Sequence, residues 1–151
     1  WTALIEAVDE KSLNMVRYLI EVGANVNAAT NREFREGVGG SKHYIVHAGW
    51  TPLFEAIDEG AVLAADLLFK QGADVNASIS RTLVDQENGM RTRYDNWTLL
   101  MDAVERERME MIQFLLKSGA DIKAKNSLGE TALDVAEKTG NQLVVKMVRK
   151  G

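Results

Sequence analysis

The sequence predicts an all-α repeat protein, a solenoid of stacked helix pairs. First, three stretches of the chain align without gaps, at 1–28, 50–77 and 97–124, and in each a threonine stands twenty-one residues before a glycine. Second, a fourth copy begins near Thr131, thirty-three residues after Thr98. Third, each copy carries start, stop and amphipathic signals for two short helices. A helix pair of this size can hide its apolar surface only by stacking on its neighbours.

Composition agrees with one folded, soluble unit. The chain has 151 residues, of which 46% are hydrophobic and 26% charged, values typical of globular proteins. It shows no apolar run of membrane-spanning length and no recognisable signal peptide. We therefore expect a single soluble domain over 1–151. The cytoplasm is favoured, although the sequence does not identify the compartment. Because there is no cysteine, disulfides, zinc fingers and thiol catalysis are excluded. The net charge of -4 argues against a nucleic-acid partner.

The middle copy shows why each repeat should be a helical hairpin. Thr51 is a good N-cap, and Pro52 at the first helical position loses only an N–H that would lack a partner anyway. Gly60 ends this first helix. A second helix is predicted over 62–70, with a broad apolar stripe, and Gly72 stops it.

These residues resemble ankyrin repeats. The resemblance rests on the period and on two motifs: TPL at 51–53, with the variants TAL at 2–4, TLL at 98–100 and TAL at 131–133, and the closing sequences GANVNA, GADVNA and GADIKA. It implies a stack of antiparallel helix pairs whose connecting loops project as fingers. Fingers and first helices together would form a concave face of the kind that usually binds another protein.

The sequence departs from the family pattern at the position where ankyrin repeats usually carry histidine. The residues there are Ile5, Phe54, Met101 and Asp134. The hydrogen bonds that this histidine would make to neighbouring loops are therefore absent, and we expect the order between repeats to depend more on packing. The last copy, 130–151, ends in polar residues and is interpreted as a solvent-facing cap.

Two long insertions separate the first three copies. The link from Ala124 to Thr131 is seven residues, whereas Ala28 to Thr51 is twenty-three and Ala77 to Thr98 is twenty-one. Loops of this length are uncommon in compact domains and tend to be functional. The insertions, 29–49 and 78–96, are called finger one and finger two below.

Both fingers are predicted to be β-hairpins. In finger two, Asn88-Gly89 between alternating segments is a strong hairpin signal. A two-residue turn there pairs Leu83 with Tyr94 and Val84 with Arg93. In finger one, a register centred on the glycine-rich tip pairs Phe34 with Tyr44 and Glu36 with Lys42. Neighbouring hairpins could also pair with each other. The alternative is that the fingers are loops without a task, since long insertions cost little free energy.

Three sets of residues are candidates for partner binding. Trp1, Trp50 and Trp97 open equivalent repeats, either as binding hot spots or as plugs beneath the fingers. The first helices carry equivalent acids: Glu6, Glu55 and Asp102, and also Asp9, Asp58 and Glu105. These acids could attract a basic partner. Alternatively, arginines of the fingers neutralise them within the molecule: Arg32, Arg35, Arg81, Arg91 and Arg93.

Metal binding and catalysis find little support. His43 and His47, the only histidines, would lie about 13 Å apart along a strand, too far to share an ion. No nucleophile with a nearby base and no phosphate-binding glycine motif is apparent. We therefore predict no catalytic residue, no metal site, no cofactor and no small-molecule ligand.

The predicted function is non-enzymatic protein recognition by the fingers and the groove. The expected partner is a protein or peptide, with a basic segment favoured, and neither nucleic acid nor membrane; a homodimer formed through the fingers is a further hypothesis. The expected contact residues are Phe34, Tyr44, Trp50, Glu55, Asp58, Arg91, Arg93, Tyr94, Trp97 and Asp102. The alternative is a regulatory or spacer segment of a larger enzyme or effector that binds a neighbouring domain in cis, as a chain opening inside a repeat motif would suggest.

Overall fold

The computed structural model of the chain describes residues 2–32, 43–85 and 87–151, and at 31, 32, 43 and 44 it describes the backbone alone. Within these ranges the chain forms four helix pairs and one antiparallel sheet. In the described part of the chain, no helix combines the length and the apolar character needed to cross a bilayer.

The first helix of each pair is short and the second slightly longer. The first helices are α1 (Ala3–Asp9), α3 (Pro52–Glu59), α5 (Leu99–Glu105) and α7 (Ala132–Thr139). The second helices are α2 (Leu13–Glu21), α4 (Val62–Lys70), α6 (Met109–Lys117) and α8 (Gln142–Lys150). The helices of the middle copy have the predicted limits, and Gly60 follows α3 in the left-handed conformation.

A threonine caps the start of every first helix. Its hydroxyl accepts a hydrogen bond from the backbone N–H three residues later, which satisfies a donor that the helix itself leaves unpaired. The four capping threonines are Thr2, Thr51, Thr98 and Thr131. At Thr131 the cap is reciprocal, because the Asp134 side chain also accepts from the backbone of Thr131.

The helix pairs stack in sequence order. First helices pack on first helices and second helices on second helices along the whole series. Three residues at the position usually occupied by histidine in ankyrin repeats, Ile5, Phe54 and Met101, are fully buried in this core. Packing thus occupies the place of the absent histidine network.

Asparagines in the segments that follow the second helices join successive repeats. Asn27 accepts a hydrogen bond from the Asp74 backbone N–H at 2.9 Å and donates to the Gly72 carbonyl at 3.0 Å. Asn76 accepts from the Asp121 backbone at 2.8 Å in the same way. These residues belong to the closing GANVNA and GADVNA motifs, so the motif has a physical role in fixing the distance between repeats.

Four strands form one antiparallel sheet in the order β1-β2-β3-β4. They are β1 (Thr30–Arg32), β2 (His43–Trp50), β3 (Ser78–Asp85) and β4 (Arg91–Thr98). β2 pairs with β3 from His43 opposite Asp85 to Ala48 opposite Ser80. Strands from the two insertions therefore meet side by side, across two successive repeats.

The predicted register of finger two is wrong by two residues. Leu83 pairs with Thr92 and Val84 with Arg91, instead of with Tyr94 and Arg93. The reason is the turn, which is longer than the two residues expected from Asn88-Gly89. Its ends are closed by a hydrogen bond of 2.9 Å from the Asp85 N–H to the Met90 carbonyl.

Side chains inside this turn stabilise the longer form. The Asp85 carboxylate accepts from the Glu87 backbone N–H at 2.8 Å, and the Asn88 side chain accepts from the Met90 N–H at 2.8 Å. Asp and Asn commonly make such local bonds, which compete with the tight two-residue turn.

In finger one, the sequence predicts that Phe34 pairs with Tyr44 and Glu36 with Lys42. Phe34, Glu36 and Lys42 lie outside the described residues, so the structure does not test these pairs. At the base of this insertion, Arg32 pairs with His47. The predicted register, continued to this point, would place Arg32 opposite Val46.

Both insertions return to the helices through a residue with positive φ. Gly49 has φ 86° and Asn96 has φ 57°, and each immediately precedes a tryptophan that begins the next repeat. Glycine and asparagine are the residues that adopt this conformation most readily.

Replacing Phe54 with alanine tests the packing between repeats. Phe54 is fully buried, with its ring centroid 5.3 Å from that of Trp50. We expect Phe54→Ala to lower the free energy of unfolding in urea by about 3–5 kcal/mol because it leaves a cavity. Leu63→Ala is the control: Leu63 is 70% exposed, and its replacement should change the free energy by less than about 0.5 kcal/mol. Equal effects of the two substitutions would contradict this account of the core.

Candidate recognition surface

The sheet lies over the first helices and presents alternate side chains to them. On β2 these are Ile45 and His47, which are 6% and 2% exposed. On β3 Arg81 lies opposite His47 in register and reaches α5. The inner face of the sheet is therefore part of the protein interior, and a partner can approach only its outer face, its edges or the groove at its border.

Between sheet and helices lies a set of charged and polar side chains, here called the interlayer cluster: His47, Asp58, Arg81, Asp102, Glu105 and Arg106. Arg81 forms an ion pair with Glu105, and its guanidinium carbon lies 4.7 Å from the centroid of the Trp97 ring. Arg106 bridges two repeats, at 2.6 Å from an Asp58 oxygen and 3.1 Å from an Asp102 oxygen. The cluster couples α3, α5 and β3 through charge.

Burial and these arginines act in opposite directions on Asp102. The side chain is only 1% exposed, and its removal from water raises the pKa of the carboxyl group. Arg106 and Arg81 oppose that rise, since a nearby positive charge favours the ionised form. The balance leaves the pKa above its ordinary value.

His47 is held in the neutral form at physiological pH. Its pKa is lowered from 6.5 to about 4, chiefly by burial and then by the positive charges of Arg81 and Arg106. Its ring meets that of Trp50 edge-on, with centroids 4.9 Å apart. A neutral imidazole fits a site that already holds two guanidinium groups.

Trp50 anchors the base of the sheet to α3. Its indole N–H donates a hydrogen bond of 2.6 Å to Glu55, and both side chains are buried. Trp97 holds the equivalent place one repeat later, where its ring packs edge-on against Tyr94 at 5.7 Å. These contacts support the interpretation of the tryptophans as plugs beneath the insertions. Trp1 lies outside the described residues.

A groove of about 360 Å³ runs between the sheet and the last repeats. One wall is formed by Leu83, Tyr94 and Trp97 of the sheet, and the other by Glu130, Val135 and Lys138 of the fourth repeat. Lys138 forms an ion pair with Glu130 at the rim. The groove thus combines apolar and aromatic side chains with charged ones, a combination typical of sites that recognise other molecules.

The outer strand β4 carries the exposed candidates. Arg91 and Arg93 are exposed and Tyr94 is partly exposed. The Arg93 Nε lies 2.8 Å from one oxygen of Asp95, whose carboxylate also accepts from the Ser80 hydroxyl at 2.6 Å. The bond from Ser80, followed by that from Arg93, lowers the pKa of Asp95.

The structure thus divides the residues that the sequence singled out. Arg91 and Arg93 are exposed on the outer face of β4, and Tyr94 is partly exposed on its inner face. The buried candidates are Trp50, Glu55, Trp97 and Asp102, each at most 4% exposed, and their contacts are internal. Asp58 is partly buried and paired with Arg106. Phe34 lies outside the described residues, and of Tyr44 only the backbone, in β2, is described.

The electrostatic role of Arg106 was missed by sequence reasoning, although a signal existed. In the aligned copies its position is occupied by Glu10 and Glu59, so the third repeat reverses the charge. Arg81 neutralises Glu105 as the alternative hypothesis expected. Arg91 remains exposed, and Arg93 pairs within its own strand.

One group of carboxylates is close enough to hold a cation in the described part of the chain. It consists of Asp9, Glu55 and Glu59, whose oxygens lie within 4.8 Å of one another. Two of the three already have partners, since Trp50 donates to Glu55 and Lys11 pairs with Glu59 at 3.1 Å. The group is accounted for by these contacts.

The two histidines both lie on strand β2, as predicted.

Comparison with known families decides the classification. A family model described as ankyrin repeats (3 copies) matches residues 1–79, and one described as ankyrin repeats (many copies) matches residues 83–136. The chain belongs to the ankyrin repeat family. No curated protein matches it in a sequence search.

Ankyrin repeats are generally protein–protein interaction modules, and the family is typically non-enzymatic. This ankyrin repeat protein follows the family in its capped helix pairs and differs in what lies above them. Its inserted strands cover the first helices of the second and third repeats, the surface on which the acidic candidates were expected to be accessible.

The buried bond between Trp50 and Glu55 can be tested by two substitutions. Glu55→Ala leaves the indole N–H without an acceptor, and we expect it to lower the free energy of unfolding by about 1–3 kcal/mol. Glu55→Gln keeps an acceptor and should lose less. Glu6→Ala is the matched control, because Glu6 occupies the equivalent position but is exposed. A loss in Glu6→Ala as large as in Glu55→Ala, measured by urea denaturation, would refute a special role for this bond.

The low pKa of His47 predicts acid sensitivity. Above pH 6.5 the imidazole is neutral in both the folded and the unfolded chain. As the pH falls from 6.5 to about 4, the unfolded chain binds a proton that the folded chain resists, so stability decreases. We expect this effect to reach about 3 kcal/mol.

The effect of His47 is isolated by comparing unfolding free energies of variants across this pH range. His47→Gln should remove this part of the pH dependence, whereas His43→Gln, which replaces the other histidine, should retain it. Parallel pH curves for His47→Gln and the unsubstituted protein would show that the imidazole is not held neutral.

Proposed function

We propose that this ankyrin repeat protein is a non-enzymatic recognition module that binds a partner protein with its two inserted fingers and the groove beside them. The observation that carries the proposal is the groove between β4 and the fourth repeat. It combines apolar and aromatic side chains with charged ones, and the partly exposed Tyr94 of β4 lines it.

The proposed contact residues are those that remain accessible. Among the described residues they are Arg91, Arg93 and Tyr94 on β4. Phe34 and Tyr44 of finger one are proposed from the sequence alone, because their side chains are not described. Aromatic and arginine side chains contribute much of the binding energy in protein interfaces. The buried tryptophans would act indirectly, because they hold the sheet in position above the helices.

The charge of the partner is a separate part of the proposal. In the second and third repeats the predicted acidic attraction is reduced, since Arg81 pairs with Glu105 and Arg106 pairs with Asp58 and Asp102. Exposed acids persist on α1, where Glu6 and Asp9 are accessible. A basic segment of the partner is therefore proposed to bind at the α1 end of the concave side.

Affinity capture from a lysate of the source cells tests the module. The intact protein is compared with a shortened form lacking 31–46 and 80–93, which reduces both links to the seven residues found between the third and fourth repeats and keeps Ile79 and Trp97 of the core. Circular dichroism checks that the helices of the shortened form persist. Tyr94→Ala probes the groove, and Leu63→Ala, at an exposed site on α4, is the matched control.

We expect the intact form and Leu63→Ala to retain the same protein to the same extent. Tyr94→Ala should retain it weakly, and the shortened form should not retain it. Equal retention by the intact and shortened forms would overturn recognition by the fingers. If no form retains a protein, the result would favour the alternative of a regulatory or spacer segment that binds a neighbouring domain in cis.

A further inference from the structure

The outer edge of β4 has a defined hydrogen-bonding pattern. The Asp85 N–H donates to the Met90 carbonyl at 2.9 Å, so the backbone of Met90 faces β3. Because backbone direction alternates along an antiparallel strand, Thr92 and Tyr94 also bond towards β3. The N–H and C=O groups of Arg91 and Arg93 consequently point away from the sheet.

One residue of the chain already uses this edge. The Ser127 N–H donates to the Asp95 carbonyl at 2.9 Å, and the Asp95 N–H donates to the Ser127 hydroxyl at 2.9 Å. Ser127 lies in the link between the third and fourth repeats and occupies the ladder position next to Asp95. Ser127 leaves the outward backbone groups of Arg91 and Arg93 open, and among the described residues no segment bonds to them.

The edge residues select against a second copy of the chain. Arg91 and Arg93 are both exposed and, two residues apart on one strand, lie on the same face of the sheet. In an antiparallel pair of two β4 edges, arginine would lie opposite or diagonal to arginine, and like charges so placed are destabilising. An acidic residue opposite Arg91 would instead form a favourable cross-strand pair, and one opposite Arg93 would share the guanidinium group that Asp95 already contacts.

The position between the two arginines has a different character. Thr92 faces the inner side, the side of Leu83 and Tyr94 in the groove. A residue opposite Thr92 in an added strand would extend over the groove, where an apolar side chain would be favoured.

We propose that the outer edge of β4 binds an extended acidic segment of a partner protein by strand addition, with acidic residues opposite Arg91 and Arg93 and an apolar residue between them. This inference rests on the proposed function and names the chemistry of a second segment of the partner, distinct from the basic segment proposed at the α1 end. Main-chain hydrogen bonds would supply affinity, and alternate side chains would supply specificity.

The probe is a blocked, fluorescein-labelled eight-residue peptide in which glutamate alternates with valine. Its dissociation constant for the full chain is measured by fluorescence anisotropy. A peptide in which lysine replaces glutamate is the charge control, and we expect it to bind at least about tenfold more weakly, since like-charge contacts oppose binding.

Substitutions at Arg91 separate the backbone contribution from the charge contribution. Arg91→Pro removes the outward N–H at the first residue of the strand, where proline does not disturb the pairing with β3. Arg91→Thr removes the same charge and keeps the N–H. We expect Arg91→Thr to weaken binding of the glutamate peptide about threefold and Arg91→Pro at least about tenfold.

Hydrogen exchange reports directly on the edge. The glutamate peptide should slow exchange of the Arg91 and Arg93 amides and leave that of Thr92, which already bonds to β3, little changed. Circular dichroism and the exchange rates of β3 confirm that Arg91→Pro is folded.

Three outcomes would overturn the proposal. The first is no binding of the glutamate peptide, and the second is equal binding by Arg91→Pro and Arg91→Thr. The third is concentration-dependent protection of the Arg91 and Arg93 amides without peptide, which would assign the edge to a second copy of the chain. The proposed function is tested separately. If Arg91→Pro still captures the partner that the shortened form loses, the edge inference fails while recognition by the fingers stands.

Discussion

The buried contact between the sheet and the first helices is the constraint on which the rest of the structure depends. β2 and β3 come from different insertions, yet they pair along most of their lengths, which fixes the two insertions relative to each other. Trp50 then ties the sheet to α3 through Glu55, and Arg81 ties it to α5 through Glu105. A single hairpin is marginally stable in water, whereas a sheet of several strands packed on helices can persist.

The polar character of this contact has consequences for recognition. Charged groups removed from water must be paired, and Arg106 satisfies that need by reaching Asp58 in one repeat and Asp102 in another. Ion pairs of this kind contribute little net stability, but they penalise arrangements in which a charge would be buried alone. The interlayer cluster therefore favours one placement of the sheet on the helices. The same pairs reduce the negative potential that the acidic first helices would otherwise present.

In the described part of the chain, the border of the sheet is a surface that remains accessible. Recognition residues are often carried by segments that a rigid scaffold holds in place, and the helix pairs supply such a scaffold here. β4 offers both side chains and unpaired backbone groups, and the adjacent groove offers apolar surface between ion pairs. Ser127 shows that the chain itself pairs with this edge where the fourth repeat approaches it.

The sequence by itself determined the helix pairs, since Thr51, Gly60 and Gly72 act on their immediate neighbours and the repeat makes these local signals recur. It also identified the insertions and strand β2. It did not determine the register of β3 and β4, because Asp85 and Asn88 close a longer turn than the Asn-Gly pair suggests. Only the tertiary structure decided which candidates are accessible: the sheet folds over the first helices, so Trp50 and Asp102 are buried while Arg91 and Arg93 are exposed. Burial depends on contacts between residues far apart in the chain, and the pattern of a single repeat does not contain them.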